Sequence, residues 1–166
     1  FAHTNERDGG AAAVVRWKHP DTGLLSPKYF IPVFERNGFI SRLDYYVWEH
    51  VCRLIHKWLQ DGISLHPITV NISRISLYNP KLSCILLELI RRYDVPIGLL
   101  NLEITESAYV SDPEVIQEAV RRLHQAGFIL LMDDFGSGYS SLNMLKDIEV
   151  DVLKIDMQFL SCLINT

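Results

Sequence analysis

Hydrophobic residues along the chain fall into two kinds of run that alternate. The short runs are rich in β-branched residues, as buried strands are. Longer amphipathic runs, typical of helices, lie between them. Strict alternation of this kind predicts parallel strands covered by helices, and therefore an α/β fold. The predicted strands are residues 11–17, 68–73, 99–105, 128–135 and 150–156.

The predicted helices carry their own start and stop signals. Ser41 and Asp44 have the spacing of a capping box, and Gly62 marks the end of the helix that follows. The pair Asn79-Pro80 starts the next helix in the favoured order of cap and then proline. Two further helices are predicted, one over 111–127 and a short one near 140–146.

Two architectures fit this order of elements, an open doubly wound sheet and a (β/α)8 barrel. No G-x-G-x-x-G motif follows the first predicted strand, which weakens the interpretation as a dinucleotide-binding domain. The chain has 166 residues, 48% of them hydrophobic and 22% charged, which is the size and balance of one globular domain.

The charge and the longest apolar runs exclude two classes of partner. The formal net charge is −4, so a general nucleic-acid binder is not expected. No apolar run reaches the roughly 18 residues of a membrane span. The first ten residues, FAHTNERDGG, are polar and do not resemble a signal peptide, so we expect a cytoplasmic protein.

Each predicted strand carries polar residues at or near its carboxyl end. Barrel strands deliver these ends to one rim, so we expect one shared site. Asparagine and carboxylate oxygens suit Mg²⁺ or Mn²⁺, and cations nearby could hold a phosphate. Metal-assisted phosphodiester hydrolysis is one interpretation, and a set of buried ion pairs and loop caps is the other. The residues are Arg16, Asn71, Glu103, Glu106, Asp133, Asp134, Lys154 and Asp156.

Longer runs of residues carry a resemblance to a known family. AAAVVRWKHPDTGLLSPKYFIP, VNIS, LEITES, MDDFGSGYSSLNMLK and VDVLKID occur in this order from about residue 11 onward. Together they closely resemble the EAL domain family, bacterial phosphodiesterases that hydrolyse cyclic di-GMP. The resemblance implies a modified (β/α)8 TIM-barrel-like fold, which decides between the two architectures by analogy.

The resemblance also implies roles for individual residues. Lys154 matches the signature lysine beside the attacking water, and Glu106 matches a glutamate that steadies the loop 134–139, through which the family couples its metal site to dimerisation. Lys154, Asp134 and Glu106 are therefore the expected catalytic residues. Arg16 and Asp156 are the expected substrate-binding residues, Arg16 through phosphate. The positions that match metal ligands for Mg²⁺ or Mn²⁺ are Asn71, Glu103, Asp133 and Asp134.

The chain departs from the family pattern at the signature itself. Glu-Ala-Leu is replaced by Ala12-Ala13-Val14, and the methyl group of Ala12 cannot coordinate a cation. The family's opening strand and last strands are also expected to be missing, because a typical barrel needs about 250 residues. The expectation is therefore a single partial EAL domain over 1–166 with weakened metal binding and strongly impaired catalysis.

Three functions remain open from the sequence. A degenerate EAL domain that binds cyclic di-GMP or relays a signal ranks first, because Arg16, Glu103, Glu106 and the DDFGSGYS run are retained. An active phosphodiesterase in the full-length parent ranks second. A protein-interaction scaffold that binds neither nucleotide nor metal ranks third. The family further implies a homodimer through the loop 134–139 and covalently linked sensory or GGDEF-type domains in a bacterial parent.

Overall fold

The computed structural model describes residues 10–21, 23–136 and 149–156. It has seven strands, β1 to β7, and six α-helices, α1 to α6, within these residues. In chain order the elements are β1 (Ala11–Ala12), β2 (Trp17–His19), β3 (Gly23–Leu25), α1 (Pro27–Arg36), α2 (Ile40–Gln60), β4 (Ile68–Asn71), α3 (Arg74–Leu77), α4 (Leu82–Arg92), a 3₁₀ turn (Ile97–Leu99), β5 (Leu100–Thr105), α5 (Glu106–Ser111), α6 (Pro113–Gln125), β6 (Leu130–Phe135) and β7 (Val152–Ile155).

Five of the strands form one parallel sheet in the order β1-β4-β5-β6-β7. The spatial order of these five strands is the same as their order along the chain. Helices connect β1 to β4, β4 to β5 and β5 to β6. This is the arrangement of a barrel wall, and it makes up half of a TIM-type barrel. The α/β prediction is therefore confirmed, and the open doubly wound sheet is excluded because its strand order would reverse at a switch point.

One face of the sheet is apolar and the other is polar towards the strand ends. Side chains alternate along a strand, so every second residue faces the helices. Val70, Leu102, Ile104, Leu130 and Met132 face this way, and each is 0% exposed. They pack with buried residues of α2, α4 and α6 in one core. Burying each such side chain stabilises the fold by about 1.5–3 kcal/mol, which holds the sheet rigidly in place beneath the site.

The first predicted strand is wrong in length. Only Ala11 and Ala12 pair with β4, followed by one more backbone bond from the Ala13 N–H. The chain then leaves the sheet, and Trp17 begins an antiparallel hairpin of β2 and β3. The Trp17 ring packs against the side chain of Phe30 on α1, which holds the hairpin beside that helix. Arg16 thus lies between the sheet and the hairpin, and it is not a strand residue.

The predicted helix start at Pro113 is confirmed, the one at Asn79-Pro80 comes two residues before α4 begins at Leu82, and the one at Ser41 is wrong. Pro113 stands in the first turn of α6, where no backbone N–H is needed, and Pro27 does the same in α1, a helix that the sequence did not predict. Ser41 lies inside α2, whose preceding residue Phe39 makes no side-chain cap. Asp44 does not complete a capping box, because its carboxylate accepts hydrogen bonds from another segment, described below. The predicted short helix near 140–146 lies outside the described residues.

Strand β6 contains one extra residue. Met132 pairs with Leu153 and Phe135 pairs with Ile155, so three steps along β6 match two steps along β7. This is a β-bulge, and Asp134 within it has a φ of 58°. Both Met132 and Phe135 are buried, so the bulge keeps two large apolar side chains against the helices although their spacing is odd.

Candidate functional site

The strand register brings four of the predicted residues to the same face of the sheet. Asn71 on β4 lies opposite Glu103 on β5. Glu103 lies opposite Leu131, so Asp133, two residues further on, shares its face. Leu131 lies opposite Val152, which places Lys154 on this face as well. The predicted convergence of these residues at one rim therefore agrees with the register.

Glu103 and Lys154 form the central contact of this group. The Lys154 ammonium donates a hydrogen bond to Glu103 Oε1 and forms an ion pair with it. The Glu103 side chain is 3% exposed and that of Lys154 is 39% exposed. Burial raises the pKa of Glu103, and the nearby Asp133 adds to this rise, while Lys154 opposes it. A buried carboxyl group paired with a cation is costly to leave unpartnered, so Lys154 is held in place.

A second group of carboxylates surrounds Asp134. Partial loss of hydration raises the pKa of Asp134, which is exposed at the rim, and the charges of Asp133, Asp156 and Glu106 raise it further. The bulge explains why Asp133 and Asp134 both contribute here, since consecutive residues of a regular strand would face opposite sides of the sheet. Asp156 follows β7, and its backbone N–H donates to the Phe135 carbonyl oxygen at 2.9 Å. The rim is therefore strongly acidic.

Glu106 holds the backbone immediately after the bulge. It is the first residue of α5, it is 3% exposed, and its Oε2 accepts a hydrogen bond from the Gly136 N–H at 2.6 Å. Thr105 caps the same helix, with its hydroxyl oxygen accepting from the Ala108 N–H. Gly136 has a φ of 91°, a conformation that glycine adopts without strain. The start of the predicted loop 134–139 is thus tied to the helix after β5. Residues 137–139 lie outside the described residues.

Arg16 and Ala12 occupy different positions relative to this group. The Arg16 side chain is exposed, and its Nη1 donates to the carbonyl oxygen of the neighbouring Val15 at 3.1 Å. Arg16 is not brought into contact with the carboxylates. Ala12 pairs with Thr69, two residues before Asn71, so Ala12 lies on the same face as Asn71 and Glu103. A carboxylate at position 12 would therefore join the group, and alanine leaves its place without a donor.

A cavity of about 470 Å³ lies next to the rim, between the strand ends and helices α1 and α2. Its walls combine apolar side chains, such as Val14 and Leu43, with the polar residues Asp44, Asn71 and Ser73. Of these polar residues, Asp44 is buried and Asn71 is exposed. The cavity thus joins the polar rim to an apolar pocket beneath α1.

Two residues of α2 support the rim, a role that sequence reasoning missed. Trp48 donates from its indole nitrogen to the Asn71 carbonyl oxygen at 3.0 Å. Asp44 Oδ2 accepts from the Ser73 N–H at 3.0 Å and from the Ser76 hydroxyl at 2.7 Å. Burial raises the pKa of Asp44, although these hydrogen bonds oppose the rise. An acidic residue within the buried stripe of an amphipathic helix was the signal that could have identified it.

The donors of the rim do not make a complete metal site as they are arranged. Their oxygen atoms suit Mg²⁺ or Mn²⁺ in kind. However, Lys154 occupies an oxygen of Glu103, and position 12 offers no ligand. Within residues 10–21, 23–136 and 149–156, no three His, Cys, Asp or Glu side chains are grouped so that they could hold a metal ion.

Comparison with known proteins identifies the family. Residues 3–165 match the EAL domain family. The chain is 35% identical over 154 residues to the probable cyclic di-GMP phosphodiesterase PdeB of Escherichia coli, covering 93% of this chain and 30% of PdeB. It is 34% identical over 152 residues to the bifunctional diguanylate cyclase/cyclic di-GMP phosphodiesterase MucR of Pseudomonas aeruginosa, covering 92% of this chain and 22% of MucR. The chain belongs to the EAL domain family.

Solved structures agree with this assignment. The structure of the MucR phosphodiesterase in complex with cyclic di-GMP superposes with a TM-score of 0.84 at 33% identity, over 95% of this chain and 64% of that one. The FimX EAL domain of Xanthomonas citri, also bound to cyclic di-GMP, has a TM-score of 0.79 at 21% identity, over 90% of this chain and 58% of that one, and shows the shared fold. The chain is thus an EAL domain, similar in sequence to proteins named as cyclic di-GMP phosphodiesterases, and spans less than a third of PdeB and MucR.

Proposed function

We propose that this chain binds cyclic di-GMP and hydrolyses it weakly or not at all. The observation that carries the proposal is Ala12, which stands at the first position of the Glu-Ala-Leu signature on the same face as Asn71 and Glu103. The polar set otherwise remains in place, including Asp133, Asp134 and Lys154. Binding needs this set and the adjoining cavity, whereas hydrolysis also needs a firmly held cation to stabilise the charge of the transition state.

In this proposal the residues keep the roles that the resemblance gives them. Lys154, Asp134 and Glu106 belong to the catalytic group, with Glu106 acting through the backbone of Gly136. Any Mg²⁺ or Mn²⁺ would be held weakly by Asn71, Glu103, Asp133 and Asp134. Arg16 and Asp156 contact the substrate, and the permanently charged guanidinium of Arg16 matches the phosphate oxygens. The Arg16 side chain must swing from its bond with Val15 to do so.

Binding and hydrolysis are tested separately. Isothermal titration with cyclic di-GMP, once with a chelator and once with Mg²⁺, is expected to give measurable binding by this chain without substitutions, which is the parent of the variants below. Chromatography after incubation with Mg²⁺ or Mn²⁺ should show the linear dinucleotide at background level. No heat in either condition would favour the protein-interaction scaffold, and efficient turnover would favour the active phosphodiesterase.

Arg16→Ala tests the phosphate contact. A charged bidentate hydrogen bond suggests a loss of about 1.5–3 kcal/mol in binding free energy. Lys18→Ala is the matched control, because Lys18 is another exposed cation two residues away. Lys18→Ala should bind like the parent, and an Arg16→Ala variant with parental affinity would show that the phosphate contact was assigned to the wrong residue.

Ala12→Glu tests the missing ligand. The added carboxylate would lie beside Asn71 and Glu103, so the midpoint of thermal unfolding should rise with Mg²⁺ or Mn²⁺ in this variant. Ala12→Gln adds a side chain of the same length without the charge and should respond to the cations as little as the parent does. A parent that responds as strongly as Ala12→Glu would contradict weakened metal binding.

We also propose the wider setting of the chain. The name of MucR describes both a diguanylate cyclase and a cyclic di-GMP phosphodiesterase, and this chain covers 22% of MucR. This supports a longer bacterial protein in which sensory or GGDEF-type domains are linked to the EAL domain in the cytoplasm.

A homodimer through the loop 134–139 is part of the same proposal, and sedimentation with and without cyclic di-GMP would test it. No helix in the described residues is long and apolar enough to cross a membrane.

A further inference from the structure

Helix α2 is attached to the turn after β4 at three points. Asp44 and Trp48 lie one helical turn apart, so their side chains leave the same face of α2. Trp48 donates to the Asn71 carbonyl oxygen, and Asp44 accepts from the Ser73 N–H and the Ser76 hydroxyl. The segment from Asn71 to Ser76, which we call the β4 turn, is therefore fixed from one side by two residues.

Three side chains that make these contacts are buried, so water does not replace the contacts at low cost. Asp44 is 6% exposed, Trp48 is 2% exposed and Ser76 is 4% exposed. Removing one partner from a buried hydrogen bond leaves the other unsatisfied, which costs more than the bond itself contributes. The Ser73 N–H and the Ser76 hydroxyl would both lose their carboxylate acceptor if Asp44 were replaced by an apolar residue.

The attachment brackets Asn71, the predicted ligand at the end of β4. The backbone carbonyl of Asn71 is held by Trp48, and the N–H two residues later is held by Asp44. The Ile72 N–H between them donates to the Glu103 carbonyl oxygen at 2.8 Å. The exposed side chain of Asn71 lines the cavity from a backbone that cannot shift without breaking these bonds.

We propose that Asp44 and Trp48 are positioning residues that hold Asn71, and with it the wall of the cavity, in the geometry that binds cyclic di-GMP. The inference rests on the proposed function, because it concerns the same ligand. In this role α2 contributes to affinity by fixing the backbone around Asn71, and it takes no part in hydrolysis. A pre-organised site loses less free energy on binding than one that must first be ordered.

The experiment compares two replacements of Asp44. Asp44→Leu keeps the branched shape of the side chain but offers no acceptor, so it should bind cyclic di-GMP at least about tenfold more weakly, which corresponds to about 1.4 kcal/mol. Asp44→Asn keeps an oxygen that can accept from both Ser73 and Ser76, so it should retain the parental affinity within about threefold. Isothermal titration in the presence of a chelator measures both.

Trp48→Phe removes the indole N–H while keeping an aromatic ring, and Trp58→Phe on the same helix is its matched control. Trp48→Phe should weaken binding and Trp58→Phe should not. Hydrogen exchange of the Ser73 amide, read by NMR without ligand, should be faster in Asp44→Leu than in the parent and in Asp44→Asn. Thermal unfolding of each variant shows that it is folded at the temperature of the titration.

The outcomes separate this inference from the proposed function. A parent that binds while Asp44→Leu, folded and with faster Ser73 exchange, binds equally well would overturn the inference alone. If Asp44→Leu does not fold, Trp48→Phe and Asp44→Asn decide in the same way: loss of affinity in Trp48→Phe with retention in Asp44→Asn supports the inference, and any other pattern overturns it. No binding by the parent would overturn the proposed function and the inference together.

Discussion

Asp134 combines two unfavourable features, a left-handed backbone and a position among like charges. Its φ is 58°, and its pKa is raised by partial loss of hydration and by Asp133, Asp156 and Glu106. The folded state therefore holds a proton on Asp134 more tightly than the unfolded state, whose pKa is near the ordinary value of 3.8. In the window between these two pKa values the folded state loses stability as the pH rises, and the loss persists above it.

We expect Asp134→Asn to be more stable than the parent at about pH 7, and this gain to shrink as the pH falls towards about 3. Asparagine removes the charge and still tolerates the left-handed conformation. Urea unfolding at both pH values measures the difference. Asp134→Ala is the control: it removes the same charge but should gain less, by about 1 kcal/mol, because alanine is strained at positive φ. A gain that is independent of pH would contradict the electrostatic explanation.

The sequence could predict which residues share the rim but not how they are held. Asn71, Glu103 and Lys154 follow from the period of two in their strands and from the parallel order, both of which are local signals. The hydrogen bond from Ser73 to Asp44 joins residues 29 positions apart, and only the packing of α2 on the sheet brings them together. Local spacing predicted a capping box for Asp44, whereas in the structure its carboxylate accepts from the Ser73 N–H instead.

At the scale of elements, the end of α6 offers a sharp test of glycine. Gly127 has a φ of 94°, and a β-carbon there would lie 3.2 Å from Ile97 Cδ1. Gly127→Ala should therefore lower the free energy of unfolding by about 1–2 kcal/mol through backbone strain, with the close contact adding to it. Guanidinium unfolding measures the change.

Two other glycines separate these causes. Gly62 has a φ of 73°, and a β-carbon there would meet no atom within 4 Å, so Gly62→Ala should show the strain alone. Gly98 has neither a positive φ nor such a neighbour, so Gly98→Ala should be close to neutral. If Gly98→Ala were as destabilising as Gly127→Ala, the explanation by backbone conformation would be wrong.

Truncating a leucine should cost far more in the buried core than on the exposed side of a helix. Leu102→Ala on β5 should destabilise the fold by about 2–5 kcal/mol, because Leu102 is 0% exposed and lies in the shared core. Leu54→Ala on α2 should cost well under 1 kcal/mol, because Leu54 is 39% exposed. Chemical unfolding of both variants tests the assignment of the core, and similar losses would contradict it.

The elements were predicted best where proline and glycine mark their ends. The strands that became β4 to β7 were all recognised, with ends that differ by a residue or two. Helix α1 was missed, because the pattern at 30–34 indicates only an apolar stretch after a loop. The short helices α3 and α5 were also missed, although Ser73 and Thr105 stand before them as N-caps whose hydroxyl oxygens accept from the N–H three residues on. The run at 11–17 looked like one strand because periodicity does not show where a chain leaves a sheet.

At the scale of the whole molecule, a ligand that binds only the folded state must raise its stability. Cyclic di-GMP at about 100 times its dissociation constant should stabilise the chain by about 2.7 kcal/mol. The midpoint of thermal unfolding should rise with nucleotide concentration, and guanosine monophosphate at the same concentrations should have a much smaller effect. A midpoint that cyclic di-GMP leaves unchanged would contradict binding, independently of any calorimetric heat.

The architecture required more than periodicity. Alternating strands and helices predicted parallel pairing, but an open sheet and a barrel share that signal. The resemblance to the EAL domain family chose the barrel, and the sequential strand order agrees with it. The position of Ala12 in the sheet likewise depends on register, which long-range pairing determines and which no single strand reveals.

The extra residue in β6 changes what a one-codon deletion would do. Deleting a residue from a regular strand exchanges its two faces and sends every later side chain to the wrong side. In β6, deletion of Asp134 would instead restore the two-residue repeat, because Phe135 would then stand two residues after Met132 and still face the helices. Deletion or insertion of this single aspartate would thus leave the core intact and alter only the acidic rim.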